Sequence, residues 1–283
     1  MSPLTGPLEL APLKAAGVSI PRIGFGTFNI PPDEVGALVR RAVEVGYRHI
    51  DTAMRYDNEP GVGQGVRDSS VPRGEIFVTT KFPHTLAGAR DVVDAAWASI
   101  RALDLDYVDL LLMHWPNGEV PVEETFGALA PLVADGVIRG VGLSNAPAAL
   151  VRRALTVTPL ANVQVEHHPY LPQDTLRELV TAEGLALTAY APFAEGRVFA
   201  DPVLTAIGAR YGKSAGQVTL RWLLSKPRTV VIPKTARPER LAANLDVLDF
   251  DLDADDTQRI DALGASRQRF FDPPWQSYAW DER

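Results

Sequence analysis

Four polar side chains lie at or just beyond the ends of apolar, strand-like runs, and their types could together reduce a carbonyl group. They are Asp51, Tyr56, Lys81 and His114, called the tetrad below, and the runs span residues 47–51, 76–81 and 108–114. The carboxyl ends of parallel strands in a β/α barrel form one face, where residues distant in sequence converge. Each residue alone has an ordinary explanation as a helix cap, a solvated charge or a core histidine. Together they predict one catalytic pocket.

The chemistry of the tetrad follows from its side-chain types. A tyrosine phenol has a reference pKa of about 10, so proton donation near neutral pH benefits from a cation that stabilises tyrosinate. Lys81 is predicted to supply that cation, and Asp51 to keep it charged and oriented. His114 is predicted to donate a hydrogen bond to a substrate carbonyl. No side chain supplies hydride, so this reaction requires a nicotinamide cofactor.

A second polar cluster, near the carboxyl end of the chain, suits a phosphate. Lys234 and Thr235 follow an apolar run, and Arg240 and Asn244 lie four residues apart, on one face of a helix that Pro238 could begin. Lys234 and Arg240 are predicted to bracket a phosphate, helped by the Thr235 hydroxyl and the helix amino end. The alternative is a loop followed by an ordinary basic surface helix.

Other short motifs are less informative. Gly24-Phe25-Gly26 lacks the third glycine of the dinucleotide fingerprint, and the glycines of segment 61–65 have a different spacing, so neither predicts a Rossmann domain. The Glu-His-His sequence at 166–168 resembles a metal site superficially. Adjacent residues of an extended segment point to opposite sides, however, and no matching ligand pair is evident. The sequence therefore predicts no metal site.

Between these residues the chain alternates between strand and helix patterns. Strands are predicted over 23–26, 47–51, 76–81, 108–114, 138–143, 162–165, 185–190 and 229–232, and helices over 33–45, 90–103, 122–134, 148–155 and 174–183. A hairpin over 8–14 and 18–20 is predicted to cover the barrel bottom. Eight repeats favour a closed barrel over an open doubly wound sheet. The predicted fold is α/β, a (β/α)8 TIM barrel with a short N-terminal β-hairpin and a C-terminal loop segment.

Length and composition fit one domain over residues 1–283. A barrel needs about 250 residues, and no linker or low-complexity tract divides the chain. The net charge of −7 argues against broad nucleic-acid or anionic-membrane binding, and the absence of cysteine excludes disulfides and thiolate chemistry. No membrane-spanning run or targeting segment is recognised, so a cytoplasmic location is expected.

Several of these segments together resemble the aldo-keto reductase family, particularly soluble bacterial members related to 2,5-diketo-gluconate reductases. The resemblance spans nearly the whole chain. The matching segments are His49-Ile50-Asp51-Thr52-Ala53 with Tyr56 and Asn58-Glu59, Thr79-Thr80-Lys81, Leu111-Leu112-Met113-His114-Trp115-Pro116, Gly142-Leu143-Ser144-Asn145, Gln164-Val165-Glu166 and Ile232-Pro233-Lys234-Thr235. The resemblance implies a (β/α)8 barrel that uses NADPH/NADP+, with Tyr56 as general acid and the other tetrad residues as supporting groups.

The resemblance also implies a set of cofactor contacts. The matching residues are Ser144, Asn145 and Gln164 at the nicotinamide carboxamide, Tyr190 under its ring, Gly26, Thr27 and Asp51 beside it, Lys234, Thr235 and Arg240 at the adenosine 2′-phosphate, and Asn244 at the adenine. NADPH is therefore expected to outcompete NADH. Two residues depart from the family pattern, because Ala191 replaces a frequent serine and Ala243 a frequent acidic or amide residue.

The substrate entrance is predicted to be aromatic. The predicted lining residues are Phe28, Met54, Phe82, His114, Trp115 and Trp275. An aromatic wall favours an apolar or aromatic aldehyde or ketone. The aromatic tail beyond residue 266 could cover this pocket or pack against the outer helices. The small-molecule substrate is the expected partner, with no nucleic acid and no membrane, and a monomer is expected.

The leading prediction is an NADPH-dependent oxidoreductase that reduces aldehydes or ketones to alcohols. One alternative is a nucleotide-responsive binding or accessory protein with little turnover, against which the intact tetrad argues. A second alternative is a barrel hydrolase with Asp51 and Glu59 as paired carboxylates. That reading explains neither Lys81 nor the cluster at Lys234.

Overall fold

The structure is a computed structural model that describes residues 10–276 and 278–281. Strands and helices alternate along the chain, as predicted. The strands are β1 (Leu13–Ala15), β2 (Val18–Ile20), β3 (Phe25–Gly26), β4 (His49–Asp51), β5 (Phe77–Phe82), β6 (Leu110–Met113), β7 (Val141–Ser144), β8 (Asn162–Glu166), β9 (Ala186–Tyr190) and β10 (Thr229–Val231). The α-helices are α1 (Pro32–Val45), α2 (Glu59–Arg67), α3 (Ala89–Leu103), α4 (Val122–Ala134), α5 (Ala148–Leu155), α6 (Asp174–Ala182), α7 (Pro202–Tyr211), α8 (Ala215–Ser225), α9 (Glu239–Leu245) and α10 (Ala254–Ala262).

Strands β3 to β10 form one parallel sheet in chain order. Its two outer strands approach each other, because parallel bridges join Ile23 to Val231 and Gly26 to Lys234. In addition, the Gly24 amide donates to the Val231 carbonyl oxygen at 2.8 Å. The sheet is therefore curled, consistent with the predicted (β/α)8 fold. Every predicted strand has a counterpart, although several begin two or more residues later than their apolar runs.

The N-terminal hairpin covers the end of the sheet opposite the predicted site. Strands β1 and β2 pair antiparallel, with Leu13 opposite Ile20. Ile20 packs in a buried cluster with Phe77, Leu110 and Ala186, which are the first residues of β5, β6 and β9. The hairpin thus seals the amino ends of the strands, as predicted, and leaves the carboxyl ends for a site. It begins at Leu13, and the predicted residues before Leu10 lie outside the described part of the chain.

The sequence prediction lacks helices α2, α7, α8 and α10. For α2, the glycines inside the helix explain why it was missed. Glycine is a poor helix former, yet Gly63 and Gly65 lie inside α2. A Cβ atom on Gly63 would come 1.7 Å from the Leu103 carbonyl oxygen, and one on Gly65 would come 2.4 Å from the Gly36 carbonyl oxygen. These glycines therefore let α2 pack backbone to backbone against α1 and α3. Their role is in packing, in agreement with the interpretation that the glycines of segment 61–65 are not a dinucleotide-binding motif.

None of the described helices is long and apolar enough to cross a membrane.

His167, directly after β8, is a fully buried imidazole. Its Nδ1 lies 2.9 Å from the Leu171 carbonyl oxygen, and its ring centroid lies 5.6 Å from that of Trp222. Burial lowers the pKa of His167 to about 3. The folded protein therefore keeps this side chain neutral across the pH range in which an exposed histidine titrates.

We predict that acid destabilises the protein through His167. An unfolded chain takes up this proton near pH 6.5, as a model histidine does, whereas the folded protein does so only at about pH 3. The stabilisation is thus complete above pH 6.5 and is lost as the pH falls from 6.5 towards 3. His167→Asn keeps an N–H for the Leu171 carbonyl but cannot titrate. For each unit by which the pH falls, the variant should therefore lose up to about 1.4 kcal/mol less of its free energy of unfolding than the wild type loses.

Urea unfolding of both proteins between neutral pH and about pH 5 measures this slope. Some acid sensitivity should remain in the variant, because burial also lowers the pKa values of His49 and His114. Equal slopes for the two proteins would contradict the prediction.

Candidate active site

Asp51, Lys81 and Tyr56 meet at the carboxyl ends of β4 and β5. Asp51 ends β4, Lys81 is the penultimate residue of β5, and Tyr56 ends a short 3-10 helix that begins at Met54. The Lys81 ammonium nitrogen lies 2.6 Å from Asp51 Oδ1 and 2.8 Å from the Thr52 carbonyl oxygen. Its third contact is the Tyr56 hydroxyl oxygen, at 3.4 Å. One fully buried cation thus fixes the carboxylate and the phenol relative to each other.

Burial and charge oppose each other in this group. Burial alone would lower the pKa of Lys81, but Asp51 and Tyr56 beside it raise that pKa above its ordinary value. Burial raises the pKa of Tyr56, and the Lys81 charge lowers it without cancelling that effect. The sequence predicts the sign of the Lys81 contribution but misses the larger effect of burial. At neutral pH the site therefore holds a protonated phenol beside a charged ammonium.

His114 follows β6 and faces the Tyr56 ring edge-on, with the ring centroids 5.7 Å apart. Its backbone amide donates to the Phe82 carbonyl oxygen at 2.9 Å, which ties it to the end of β5. Burial lowers the pKa of His114 well below its ordinary value, and the charges of Lys81 and Arg55 lower it further. Nδ1 is buried and has no hydrogen-bond partner among the described residues. His114 is thus a neutral imidazole with Nε2 left for a ligand.

These side chains lie at a cavity of about 870 Å³, within the usual size range of a small-molecule or cofactor site. The cavity brings together most of the predicted site residues. Those on its wall are Gly26, Phe28, Asp51, Tyr56, His114, Trp115, Ser144, Asn145, Gln164, Tyr190, Lys234, Thr235, Arg240, Asn244 and Trp275. Residues from both polar clusters of the sequence therefore share one cavity.

Four predicted residues are not on the wall. Lys81 lies behind Asp51, and so does Thr27, whose hydroxyl donates to the Asp51 carbonyl oxygen at 3.0 Å. Phe82 is placed differently from the prediction, because it is fully buried in the hydrophobic core. It follows Lys81 directly in β5, and neighbouring strand residues face opposite sides of a sheet. Met54 also packs against the core rather than on the cavity wall.

The polar residues at the end of β7 and in β8 already form hydrogen bonds within the protein. The Asn145 amide donates to Ser144 Oγ at 3.1 Å, and its oxygen accepts from the Tyr190 hydroxyl at 2.7 Å. Gln164 Nε2 donates to Asp51 Oδ2 at 2.8 Å. Within the described part of the chain, the Ser144 hydroxyl hydrogen and the Gln164 carbonyl oxygen have no such partner. A ligand carboxamide would therefore find one free donor and one free acceptor here.

Another part of the wall is cationic. Lys234 and Arg240 are exposed on the cavity wall, and their side chains form no hydrogen bond or ion pair with any described residue. Thr235 lies between them in sequence, and its hydroxyl accepts from the Arg237 amide at 3.0 Å. Asn244 lies one helical turn after Arg240 in α9. An ammonium and a planar guanidinium with free donors suit a phosphate group.

Sequence reasoning missed part of the wall. The missed residues include Arg55, His84, Phe193, Glu195, Phe199, Ser214, Gln217 and Phe271. Most of them belong to the segment after β9 and the start of α8. These segments contain no charged residue at the end of a strand-like run and none of the motifs quoted above. Arg55 had one usable signal, its position next to Tyr56.

The tail beyond residue 266 contributes to the cavity. Glu166 ends β8 as a fully buried carboxylate that accepts from the backbone amides of Phe270 and Phe271, at 2.8 and 2.9 Å. The ring of His168 is 2.9 Å from the same carboxylate. Phe271 and Trp275 then line the cavity. The structure therefore shows Phe271 and Trp275 at the pocket, with Glu166 holding this part of the tail. Further along, Asp281 accepts from the Ala148 amide at the start of α5, so the tail also contacts an outer helix.

Known proteins resemble this chain in both sequence and fold. The model of the aldo/keto reductase family matches residues 22–265. An aldo-keto reductase from Mycolicibacterium smegmatis is 39% identical over 261 residues, which cover 91% of this chain and 94% of the relative. A glyoxal reductase from Bacillus subtilis is 39% identical over 251 residues, which cover 87% of this chain and 90% of the relative.

The structural comparison agrees with the sequence matches. A crystal structure provisionally assigned as a 2,5-diketo-D-gluconic acid reductase B superposes with a TM-score of 0.93 at 37% identity. The superposition covers 96% of this chain and 98% of the other. With a family match over most of its length and the same fold around the cavity, the chain belongs to the aldo/keto reductase family.

Proposed function

We propose that this protein is a single-domain, NADPH-dependent reductase that converts an aldehyde or a ketone to an alcohol, with Tyr56 as general acid. Its family supports an oxidoreductase that acts on carbonyl groups. The observation that carries the proposal is the buried Lys81 ammonium, which lies behind the cavity wall, 2.6 Å from Asp51 and 3.4 Å from the hydroxyl of the wall residue Tyr56. This geometry suits transfer of the phenol proton.

Tyr56 would donate the proton that carbonyl reduction consumes. Because burial raises its pKa, the phenol is protonated at neutral pH and available as an acid. As the carbonyl carbon is reduced, its oxygen becomes an alkoxide, a much stronger base than tyrosinate, so the proton moves from phenol to oxygen. The tyrosinate left behind is stabilised by the Lys81 charge, which Asp51 and the Thr52 carbonyl hold in place.

His114 would orient the substrate carbonyl. A protonated imidazole would place a second positive charge near Lys81 inside a buried site, and the lowered pKa of His114 avoids this. Since Nδ1 is buried without a partner among the described residues, the neutral tautomer with the proton on Nε2 can donate to the substrate oxygen. Tyr56 and His114 would then both donate hydrogen bonds to the substrate carbonyl oxygen, from two directions.

The residues of the cavity fit a nicotinamide dinucleotide. When bound, the cofactor supplies the hydride that no side chain can provide. We assign Ser144 and Gln164 to its carboxamide, since each has a free polar group, and the Tyr190 ring to its nicotinamide ring. Asn145 would join them only by exchanging a present bond, such as that with Tyr190.

The cationic wall would hold the phosphate that distinguishes NADPH from NADH. Lys234 and Arg240 have no side-chain partners among the described residues, so no internal bond opposes binding of a 2′-phosphate. Thr235 and Asn244 would complete this end of the cavity. Ala191 and Ala243 also line it but offer no side-chain hydrogen bond, so these two positions add only apolar contact.

The aromatic wall near Tyr56 would receive the substrate. Phe28 is 51% exposed and lies 5.1 Å from the Tyr56 ring between centroids. Trp275 is 49% exposed and packs edge-on against Trp115. Such exposed rings on a cavity wall favour a substrate with an apolar or aromatic body.

Removal of the Tyr56 hydroxyl should separate binding from turnover. Tyr56→Phe deletes the proposed proton donor but leaves the Lys234 and Arg240 end intact, so we expect kcat to fall about 100-fold or more with NADPH affinity retained. The measurements are NADPH oxidation with an aromatic aldehyde and NADPH fluorescence titration. Tyr107→Phe is the matched control, because among the described residues the Tyr107 hydroxyl bonds only to the Arg73 carbonyl oxygen, at 3.4 Å and away from the cavity wall. Undiminished turnover by Tyr56→Phe would refute the acid assignment, and a wild type that binds NADPH without turnover would indicate a binding protein.

Neutralising the cationic wall should reduce the preference for NADPH. The double variant Lys234→Met and Arg240→Met removes both proposed phosphate ligands, so we expect the ratio of kcat/KM for NADPH over NADH to fall about tenfold or more. Arg237→Met is the control, since Arg237 is exposed in the same segment but is not on the cavity wall. The assignment of Lys234 and Arg240 would be wrong if the control lost the preference for NADPH to the same extent as the double variant, or if neither protein lost it.

A further inference from the structure

Arg55 occupies an unusual position beside the proposed acid. It is the middle residue of the 3-10 helix Met54–Tyr56, which follows the extended residue Ala53. Asp57 ends this turn in a left-handed conformation, with its amide bonded to the Met54 carbonyl at 3.2 Å. Arg55 is exposed and lines the cavity together with Tyr56. The turn therefore presents a guanidinium and a phenol to one cavity from consecutive residues.

The Arg55 guanidinium has no counter-charge among the residues that the structure describes. Its side chain forms no hydrogen bond or ion pair with any residue in 10–276 and 278–281. Of the two acidic residues on the cavity wall, Asp51 is bonded to Lys81 and Gln164. The other, Glu195, belongs to the segment after β9 that packs against α8. The substrate end of the cavity therefore carries an uncompensated positive charge.

The Arg55 charge has an electrostatic effect on neighbouring groups of the cavity. It acts on both His84 and His114, and contributes to lowering the pKa of each. His84 and Trp275 both line the cavity and stack with centroids 4.2 Å apart, so this charge shares the cavity wall with aromatic rings. A cation in a cleft with apolar walls attracts an anion more strongly than the same cation on an open surface.

We propose that Arg55 binds the carboxylate of the substrate, and that the preferred substrates are aromatic or apolar aldehydes and ketones that carry a carboxylate away from the reacting carbonyl. This inference rests on the proposed reductase function. The carbonyl would lie at Tyr56 and His114, the apolar body against Phe28 and Trp275, and the carboxylate at Arg55.

A carboxylate fits this position better than a phosphate. One guanidinium carries one positive charge and two parallel N–H donors, which match the single charge and the two oxygens of a carboxylate. A phosphate monoester carries about −1.5 to −2 charges and is usually bound by more than one cation. Arg55 is the cationic residue that the described cavity wall offers near Tyr56, whereas Lys234 and Arg240 lie in the segment that follows β10.

The test compares two para-substituted aldehydes that differ mainly in charge, 4-carboxybenzaldehyde and its methyl ester, methyl 4-formylbenzoate. We expect wild-type protein with NADPH to prefer the carboxylate in kcat/KM, and Arg55→Met to lower the ratio of the two values about tenfold. The loss should fall mainly on KM for the carboxylate, since the ion pair is present in both the ground state and the transition state. Arg55→Lys should retain part of the preference.

Arg90→Met is the matched control, since it makes the same charge change at a side chain that is 93% exposed and away from the cavity wall. It should keep the wild-type ratio. An unchanged ratio in Arg55→Met, or an equal loss in Arg90→Met, would overturn the proposal. A weaker affinity for NADPH with an unchanged ratio would also overturn it, because Arg55 would then serve the cofactor.

A binding measurement keeps the two proposals distinguishable. The product 4-(hydroxymethyl)benzoate and its methyl ester are titrated into protein with NADP+ and followed by tryptophan fluorescence, since Trp115 and Trp275 line the cavity. Tighter binding of the carboxylate that is lost in Arg55→Met supports the anion site even if neither aldehyde is reduced. Turnover of both aldehydes without any effect of Arg55 leaves the reductase function intact and rejects the anion site.

Discussion

A buried ammonium group cannot be left without partners, and the need to satisfy Lys81 organises the centre of this structure. Removing an unpaired charge from water costs several kcal/mol, so a fully buried lysine requires a carboxylate and further acceptors nearby. Asp51 and the Thr52 carbonyl satisfy it, and both come from the end of β4, while Lys81 comes from β5. Two neighbouring strands are thus held in register by the same contacts that place the Tyr56 hydroxyl. The position of the proposed proton donor is therefore set by the need to pair the buried Lys81 charge.

The same cation also influences its neighbours. Burial lowers the pKa of His114 and the Lys81 charge lowers it further, so the imidazole is neutral and able to act as a hydrogen-bond donor through one nitrogen. Gln164 Nε2 donates to the other oxygen of Asp51, so both carboxylate oxygens are engaged in hydrogen bonds. Tyr56 and His114 are both uncharged at neutral pH. Glu59, the second carboxylate of the hydrolase considered from the sequence, accepts a hydrogen bond from the Thr80 hydroxyl and is not on the cavity wall.

The sequence predicted those parts of the structure that depend on strand ends. Asp51, Lys81 and His114 could be placed together because charged residues after apolar runs meet on one face of a parallel sheet. Phe82 was misplaced although the alternation of a strand already sets it opposite Lys81. Helix α2 could not be recognised, because its glycines become favourable only through the close approach of α1 and α3. The position of the tail depends on the buried Glu166 carboxylate, a tertiary contact without a local sequence signal.

Net charge is a poor guide to what this protein binds. The chain carries a formal charge of −7, yet Arg55, Lys234 and Arg240 all reach the cavity wall without partners among the described residues. Most other arginines of the described chain bond to carboxylates or backbone carbonyls, as Arg73 does with Asp109. An acidic surface repels anions at long range, but screening confines that effect to about 8–10 Å at physiological salt. Inside the cavity the unpaired cations would favour a negative ligand of the kinds proposed above, which the net charge alone would not predict.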